Sequence, residues 1–197
     1  MEKEISTGLP KPPLYGAILA GGYSTRMGRD KAFIHYDGLP MYQRVFQLIS
    51  PFCSQVIVSC RSEQEQLFSG MPVVVDAYPS RGPLTGLLSA FLQFPQVAWL
   101  TVPIDMPRLN SEFLRQQLIN RRNPEVDATL IRETLHSFIQ PLLGIYEPAS
   151  QPVMLRRFEA GHFSLRGLIE ELKVRLVEFS DHQHILANYN LPGDWET

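Results

Sequence analysis

The chain has 197 residues, 44% of them hydrophobic and 19% charged, and is therefore long enough to bury one sizeable core. Its formal net charge of −2 argues against a protein built to coat nucleic acid or an anionic membrane surface. No apolar stretch approaches the roughly 20 residues that a membrane-spanning helix needs. Cys53 and Cys60 lack the spacing of a zinc or disulfide motif, which predicts reduced thiols in a cytoplasmic protein.

Short apolar runs alternate along the chain with longer segments of helical period. The runs predict strands over residues 15–20, 55–60, 72–75, 97–102, 128–131, 142–146 and 174–179. Helical spacing predicts helices over 41–52, 84–92 and 113–119. The first strands are continuously apolar, as expected when helices cover both faces of a sheet. The sequence therefore predicts one three-layer α/β domain with a mostly parallel sheet over 14–197, after a disordered tail over 1–13 that carries no secretory signal.

A glycine-rich and basic segment, "LAGGYSTRMGRDKAF", directly follows the first predicted strand. Gly21 and Gly22 allow close backbone approach, so that successive N–H groups can point at an anion, and Arg26 and Lys31 add positive charge. The segment is not a Walker loop, because Gly28 is not followed by Lys-Ser or Lys-Thr. It is not a G-x-G-x-x-G fingerprint either, because Gly21 and Gly22 are adjacent and the next glycine is Gly28. This composition predicts a polyphosphate-binding loop; a tight turn with solvent-facing cations is the alternative.

Polar side chains are predicted at two other strand ends. Asp76 follows "VVV" and Asp105 follows "VAWLTVPI", and ligands of such sheets bind where strand ends gather. A carboxylate facing phosphates needs a cation between them, and Mg²⁺ takes one or two carboxylates together with phosphate oxygens. Turn or capping roles are the alternatives for both. Asn188 and Asn190 share one face of an extended segment and are candidates for contacting metal-bound water or substrate phosphate; turn-forming asparagines before Pro192 are the alternative.

The segment "LAGGYSTRMGRDK" resembles the signature of molybdenum cofactor guanylyltransferases, within the MobA-like nucleotidyltransferases. The motifs "GPLTG" at 82–86, "PIDMP" at 103–107 and "NYNLPGDW" at 188–195 are similar to further motifs of that family. Leu191 departs from the threonine that is usual in the last motif. The resemblance covers about residues 14–197 and implies a Rossmann-like fold of the nucleotide-diphospho-sugar transferase type.

This resemblance implies transfer of GMP from GTP to the terminal phosphate of molybdopterin, with Mg²⁺ as the cofactor and release of pyrophosphate. It implies catalytic roles for Arg26, Lys31 and Asp105, with Asp105 also the metal ligand. The residues implied in nucleotide and substrate binding are Leu19, Ala20, Gly21, Gly22, Lys31, Asp76, Gly82, Pro83, Leu84, Asp105, Asn188 and Asn190.

The expected partners are GTP and molybdopterin, together with molybdoenzymes or other proteins of the cofactor pathway, but no nucleic acid and no membrane. The expected assembly is a monomer or weak homo-oligomer. Two other functions stay open. One is a cytidylyl- or sugar-phosphate nucleotidyltransferase, which a base preference distinguishes. The other is a non-catalytic nucleotide-binding adaptor, which would release no pyrophosphate.

Overall fold

The computed structural model describes residues 11–22, 30–182, 184–190 and 192–195. The strands in these ranges are β1 (Leu14–Leu19), β2 (His35–Tyr36), β3 (Leu39–Pro40), β4 (Gln55–Cys60), β5 (Val73–Val75), β6 (Ala98–Thr101), β7 (Ala128–Glu133), β8 (Phe138–Tyr146) and β9 (Val174–Phe179). The α-helices are α1 (Met41–Ile49), α2 (Pro83–Gln93), α3 (Ser111–Gln117), α4 (Gln151–Glu159) and α5 (Leu165–Glu171).

Seven strands form one sheet in the order β5-β4-β1-β6-β8-β7-β9. Strand β8 pairs antiparallel with both β6 and β7, and the remaining pairs are parallel. All seven predicted strands lie in this sheet, and its mostly parallel character is confirmed. The hairpin β2-β3 lies apart from it and turns at Asp37 and Gly38, whose φ values of 50° and 79° suit a tight two-residue turn.

Helices cover both faces of the sheet, which confirms the predicted three layers. Helices α1 and α3 pack on one face, where Val45, Ile49 and Leu114 are buried. Helices α2, α4 and α5 pack on the other face, around Leu88 and Met154. The sequence did not predict α4 and α5. Helix α4 buries only Met154 completely, so its apolar period is weak.

Within the residues that the structure describes, no helix is long and apolar enough to cross a bilayer.

Cys53 and Cys60 are both free thiols, as predicted. Burial raises the pKa of Cys53 to about 12 and that of Cys60 to about 11, so neither is a reactive thiolate at neutral pH. The predicted tail over 1–13 lies mostly outside the described residues.

Candidate active site

A cavity of about 190 Å³ opens at the carboxyl edge of the parallel strands. Its walls come from the end of β1, the loops after β5 and β6, and the beginning of α2. The residues that line it are Leu19, Gly21, Gly22, Ser59, Asp76, Gly82, Pro83, Gly86, Val102, Pro103, Ile104, Asp105 and Leu142. The cavity thus lies where the strand-end rule places a ligand.

Glycines allow the walls of this cavity to approach one another closely. A Cβ atom on Gly21 would lie 2.9 Å from Asp76 Oδ2, and one on Gly86 would lie 2.7 Å from Ser59 Oγ. Gly82 caps the N-terminus of α2 with a φ of 96°, a conformation that favours glycine. The cavity therefore presents glycine backbone on two sides, as close contact with a phosphate chain requires.

Asp76 forms the wall beside the glycine loop and directly follows β5, as predicted. Ser59 Oγ donates a hydrogen bond to Asp76 Oδ1 at 3.1 Å. The other oxygen, Oδ2, is buried and has no hydrogen-bond partner among the described residues. Burial raises the pKa of the Asp76 carboxyl, although the Ser59 hydrogen bond opposes that shift. An unpaired buried carboxylate oxygen is suited to a cation or a hydroxyl donor of a ligand.

Asp105 also lines the cavity, and it contacts Lys31. Lys31 Nζ donates to Asp105 Oδ2 at 2.9 Å and to Asn190 Oδ1 at 2.7 Å. Asp105 is predicted to end a strand, but β6 ends at Thr101 and Asp105 lies four residues later in a turn. Its position is instead fixed from the far end of the chain, because Tyr189 N–H donates to the Asp105 carbonyl at 2.8 Å.

The oxygen donors at this cavity are of the kind that a divalent cation binds. No group of three or more His, Cys, Asp or Glu side chains comes together within the described part of the chain. Asp76 and Asp105 each bring one carboxylate to the cavity wall. The Asp76 Oδ2 atom accepts no hydrogen bond from any described residue. Hard oxygen ligands that leave several positions to phosphate and water are what Mg²⁺ prefers.

Comparison with known proteins identifies the family. The model of the MobA-like NTP transferase domain matches residues 16–176. The chain belongs to this nucleotidyltransferase family. Among its relatives, a probable molybdenum cofactor guanylyltransferase of Rhodopirellula baltica is 32% identical over 199 residues, which cover 93% of this chain and 90% of that protein. A molybdenum cofactor biosynthesis bifunctional protein of Synechocystis is 32% identical over 185 residues, which cover 93% of this chain. This chain spans about half of the length of that protein, 53%.

Solved structures show the same fold. Molybdopterin-guanine dinucleotide biosynthesis protein A of Archaeoglobus fulgidus superposes with a TM-score of 0.77 at 24% identity, covering 92% of this chain and 95% of that one. A Mycobacterium tuberculosis protein, solved in complex with manganese, superposes with a TM-score of 0.62 at 16% identity, covering 86% and 89% of the two chains. The α/β architecture is therefore that of this nucleotidyltransferase family.

Most of the predicted binding residues of this nucleotidyltransferase line one cavity, but Ala20 and Leu84 are not among the residues that line it. The Ala20 amide donates to the Ser59 carbonyl at 2.8 Å, so this N–H group pairs with β4 and is not available to bind an anion. The Leu84 side chain is completely buried in the core. Asn188 and Asn190 are both exposed beside buried Tyr189, as the alternating pattern predicts.

Arg26, the remaining predicted catalytic residue, lies outside the described residues. Three residues that the sequence reasoning did not select also contact the site. Ser59 lines the cavity and binds Asp76, while Arg61 and Gln64 contact the backbone of the glycine loop. Ser59 and Arg61 come at the end of β4, and so the strand-end rule that selected Asp76 would also have pointed to them.

The two adjacent glycines offer a matched pair of variants. Gly21→Ala is expected to displace the Asp76 carboxylate, because its new Cβ would lie 2.9 Å from Oδ2, and so to weaken nucleotide binding about tenfold. A Cβ atom on Gly22 meets no described residue within 4 Å, so Gly22→Ala leaves the Asp76 carboxylate undisturbed and is expected to bind GTP more tightly than Gly21→Ala does. Isothermal titration of GTP with Mg²⁺ measures both affinities. Equal affinities for the two variants would show that the contact with Asp76 is unimportant.

Proposed function

We propose that this chain transfers GMP from GTP to the terminal phosphate of molybdopterin, forming molybdopterin guanine dinucleotide and releasing pyrophosphate. The observation that carries the proposal is that Asp76 and Asp105 line one glycine-walled cavity and that Lys31 forms an ion pair with Asp105 there. Membership of the MobA-like family and the guanylyltransferase relatives supply the base and the acceptor. Because the chain spans only half of the bifunctional relative, the activity of that whole protein is not carried over.

The reaction asks for charge neutralisation and positioning more than for proton transfer. The attacking phosphate oxygen is already anionic, so no general base is needed when its bond to the α-phosphorus forms and the bond to pyrophosphate breaks. Lys31 contacts Asp105 of the cavity wall and can neutralise charge that develops on the leaving pyrophosphate. The backbone of Gly21 and Gly22 holds the triphosphate in place.

Asp105 is the proposed ligand of Mg²⁺, and Asp76 brings a second carboxylate to the wall of the same cavity. The ion, when bound, screens the phosphate charges from one another and from these carboxylates. Lys31 holds the Asp105 side chain by an ion pair at 2.9 Å. The carboxylate is therefore oriented before any ligand arrives.

A thermal-shift panel of GTP, CTP, ATP and UTP, each with and without Mg²⁺, tests the proposal. A nucleotide that binds only the native state at a hundred times its Kd stabilises the protein by about 2.7 kcal/mol. For a chain of this length we expect GTP with Mg²⁺ to raise the Tm by roughly 5–10 °C, and CTP to raise it much less. A larger shift with CTP would overturn the guanylyl assignment. The adaptor alternative predicts a GTP shift without pyrophosphate release in the presence of molybdopterin.

A further inference from the structure

The backbone of the glycine loop is contacted from one side by two side chains that do not line the cavity. Arg61 Nη1 donates to the carbonyl oxygens of Gly21 at 2.7 Å and Gly22 at 3.1 Å. Gln64 Nε2 donates to the carbonyl of the preceding residue, Ala20, at 3.2 Å. Three consecutive carbonyl groups thus point to the same two side chains, Arg61 and Gln64, which we call the carbonyl clasp.

The clasp determines where the amide groups of the loop point. In a trans peptide the C=O of one residue and the N–H of the next are coplanar and point in opposite directions. Gln64 binds the Ala20 carbonyl, so the Gly21 N–H of the same peptide points away from the clasp. Arg61 binds the Gly21 carbonyl, so the Gly22 N–H points away from the clasp as well. Gly21 and Gly22 line the cavity, whereas Arg61 and Gln64 do not, and N–H groups that point away from the clasp can therefore face the cavity.

The clasp is itself held in place by further contacts. Arg61 Nε donates to Glu63 Oε1 at 2.8 Å, and the Gln64 Oε1 atom accepts from the Arg61 backbone N–H at 3.1 Å. Gln64 is buried, with 3% of its surface exposed. Because both side chains are fixed by their own neighbours, they offer a preformed set of donors to the loop.

Gln64 also reaches the residue that precedes Lys31. Its Nε2 atom donates to Asp30 Oδ2 at 2.5 Å, while Asp30 Oδ1 caps the short helical turn Lys31–Phe33 by accepting from Ala32 N–H at 3.0 Å. One amide group therefore joins the start of the loop, at Ala20, to the turn that carries Lys31. The clasp links the backbone and the lysine that are proposed to hold the same triphosphate.

We propose that Arg61 and Gln64 are positioning residues for polyphosphate binding, acting through the Ala20, Gly21 and Gly22 carbonyls and Asp30. The inference rests on the proposed function, because it takes the cavity to hold a nucleoside triphosphate. Neither side chain needs to touch the nucleotide. The clasp adds to affinity equally before and during the reaction, and so it affects KM for GTP more than kcat.

The first test is Arg61→Ala, measured by titration of GTP and of inorganic tripolyphosphate, by steady-state kinetics and by thermal unfolding of the ligand-free protein. We expect affinity for both ligands to fall about tenfold, as for the loss of hydrogen bonds to a charged group, while kcat changes by less than about threefold. Arg61→Lys keeps the charge and should recover part of the affinity. Added guanidinium should partly rescue Arg61→Ala.

Glu63→Gln is the matched control, because its amide oxygen can still accept from Arg61 Nε and hold that side chain, while one negative charge is removed and no loop carbonyl is touched. It is expected to leave both affinities within about twofold of the wild type. Gln64→Leu removes the other half of the clasp with little change in volume and should weaken tripolyphosphate binding in the same way. If Arg61→Ala lowers the Tm strongly, the affinities of Arg61→Lys for GTP and tripolyphosphate, and the rescue by guanidinium, still test whether Arg61 positions the loop.

The outcomes separate the clasp from the proposed function. Unchanged tripolyphosphate and GTP affinities in a folded Arg61→Ala protein would overturn the clasp and leave the guanylyltransferase assignment intact. A wild-type protein that prefers CTP to GTP, with tripolyphosphate binding that still weakens in Arg61→Ala, would overturn the assignment and support the clasp. A fall in kcat with unchanged KM would also contradict the clasp.

Discussion

Replacing Lys31 by alanine is expected to lower the rate of guanylyl transfer by about a hundredfold, comparable to the loss of one preorganised electrostatic group. The ammonium group is held at the cavity by Asp105 at 2.9 Å and Asn190 at 2.7 Å, with only 18% of the side chain exposed. Without it, the leaving pyrophosphate loses a cation and the Asp105 carboxylate faces the phosphates unneutralised. Single-turnover measurements with GTP and molybdopterin give the rate.

The same variant should change the stability of the ligand-free protein little. The ion pair is partly exposed, and pairs of that kind contribute about 1 kcal/mol or less. Lys173→Ala is the matched control, because Lys173 is a surface lysine whose ammonium group donates to the Glu125 carbonyl. A normal rate combined with a large fall in Tm would show that Lys31 is a structural residue and would remove it from the mechanism.

The sequence predicts those site residues that come directly after a strand. Strands β1 and β5 are continuously apolar, so their ends can be recognised, and the polar residues after them lie at the ligand-binding edge. Gly21, Gly22 and Asp76 are therefore found from local sequence alone. The glycine-rich composition and the family resemblance point to the same edge.

The rest of the site depends on contacts between distant segments, which no local pattern records. Lys31 and Asn190 are 159 residues apart and still form a hydrogen bond. Asp105 follows β6 by a turn, and the Tyr189 amide fixes its backbone. Arg61 acts through carbonyl groups, which every residue carries, so its partners cannot be recognised by residue type. Such contacts become visible only once the sheet has brought its strand ends together.

Asp105→Asn is expected to reduce turnover by about a hundredfold or more, since it keeps the shape of the side chain but removes the charge that is proposed to hold Mg²⁺. Asp105 lies on the cavity wall, and its carboxylate is oriented by Lys31 and its backbone by Tyr189. The variant is therefore expected to fold normally. Its magnesium midpoint for activity should rise at least about tenfold, because a neutral amide oxygen is a weaker ligand for a hard cation than a carboxylate oxygen.

GTP binding without Mg²⁺ separates a metal ligand from a simple structural residue. In Asp105→Asn this affinity should hold steady or improve, because a negative charge has gone from beside the phosphates and Lys31 no longer faces a full carboxylate. Asp37→Asn, an exposed aspartate of the β2-β3 turn, is the control for loss of one negative charge elsewhere. Equal magnesium midpoints and near-normal rates for Asp105→Asn and the wild type would contradict the assignment. The metal ligand would then be sought at Asp76, whose buried Oδ2 has no partner among the described residues.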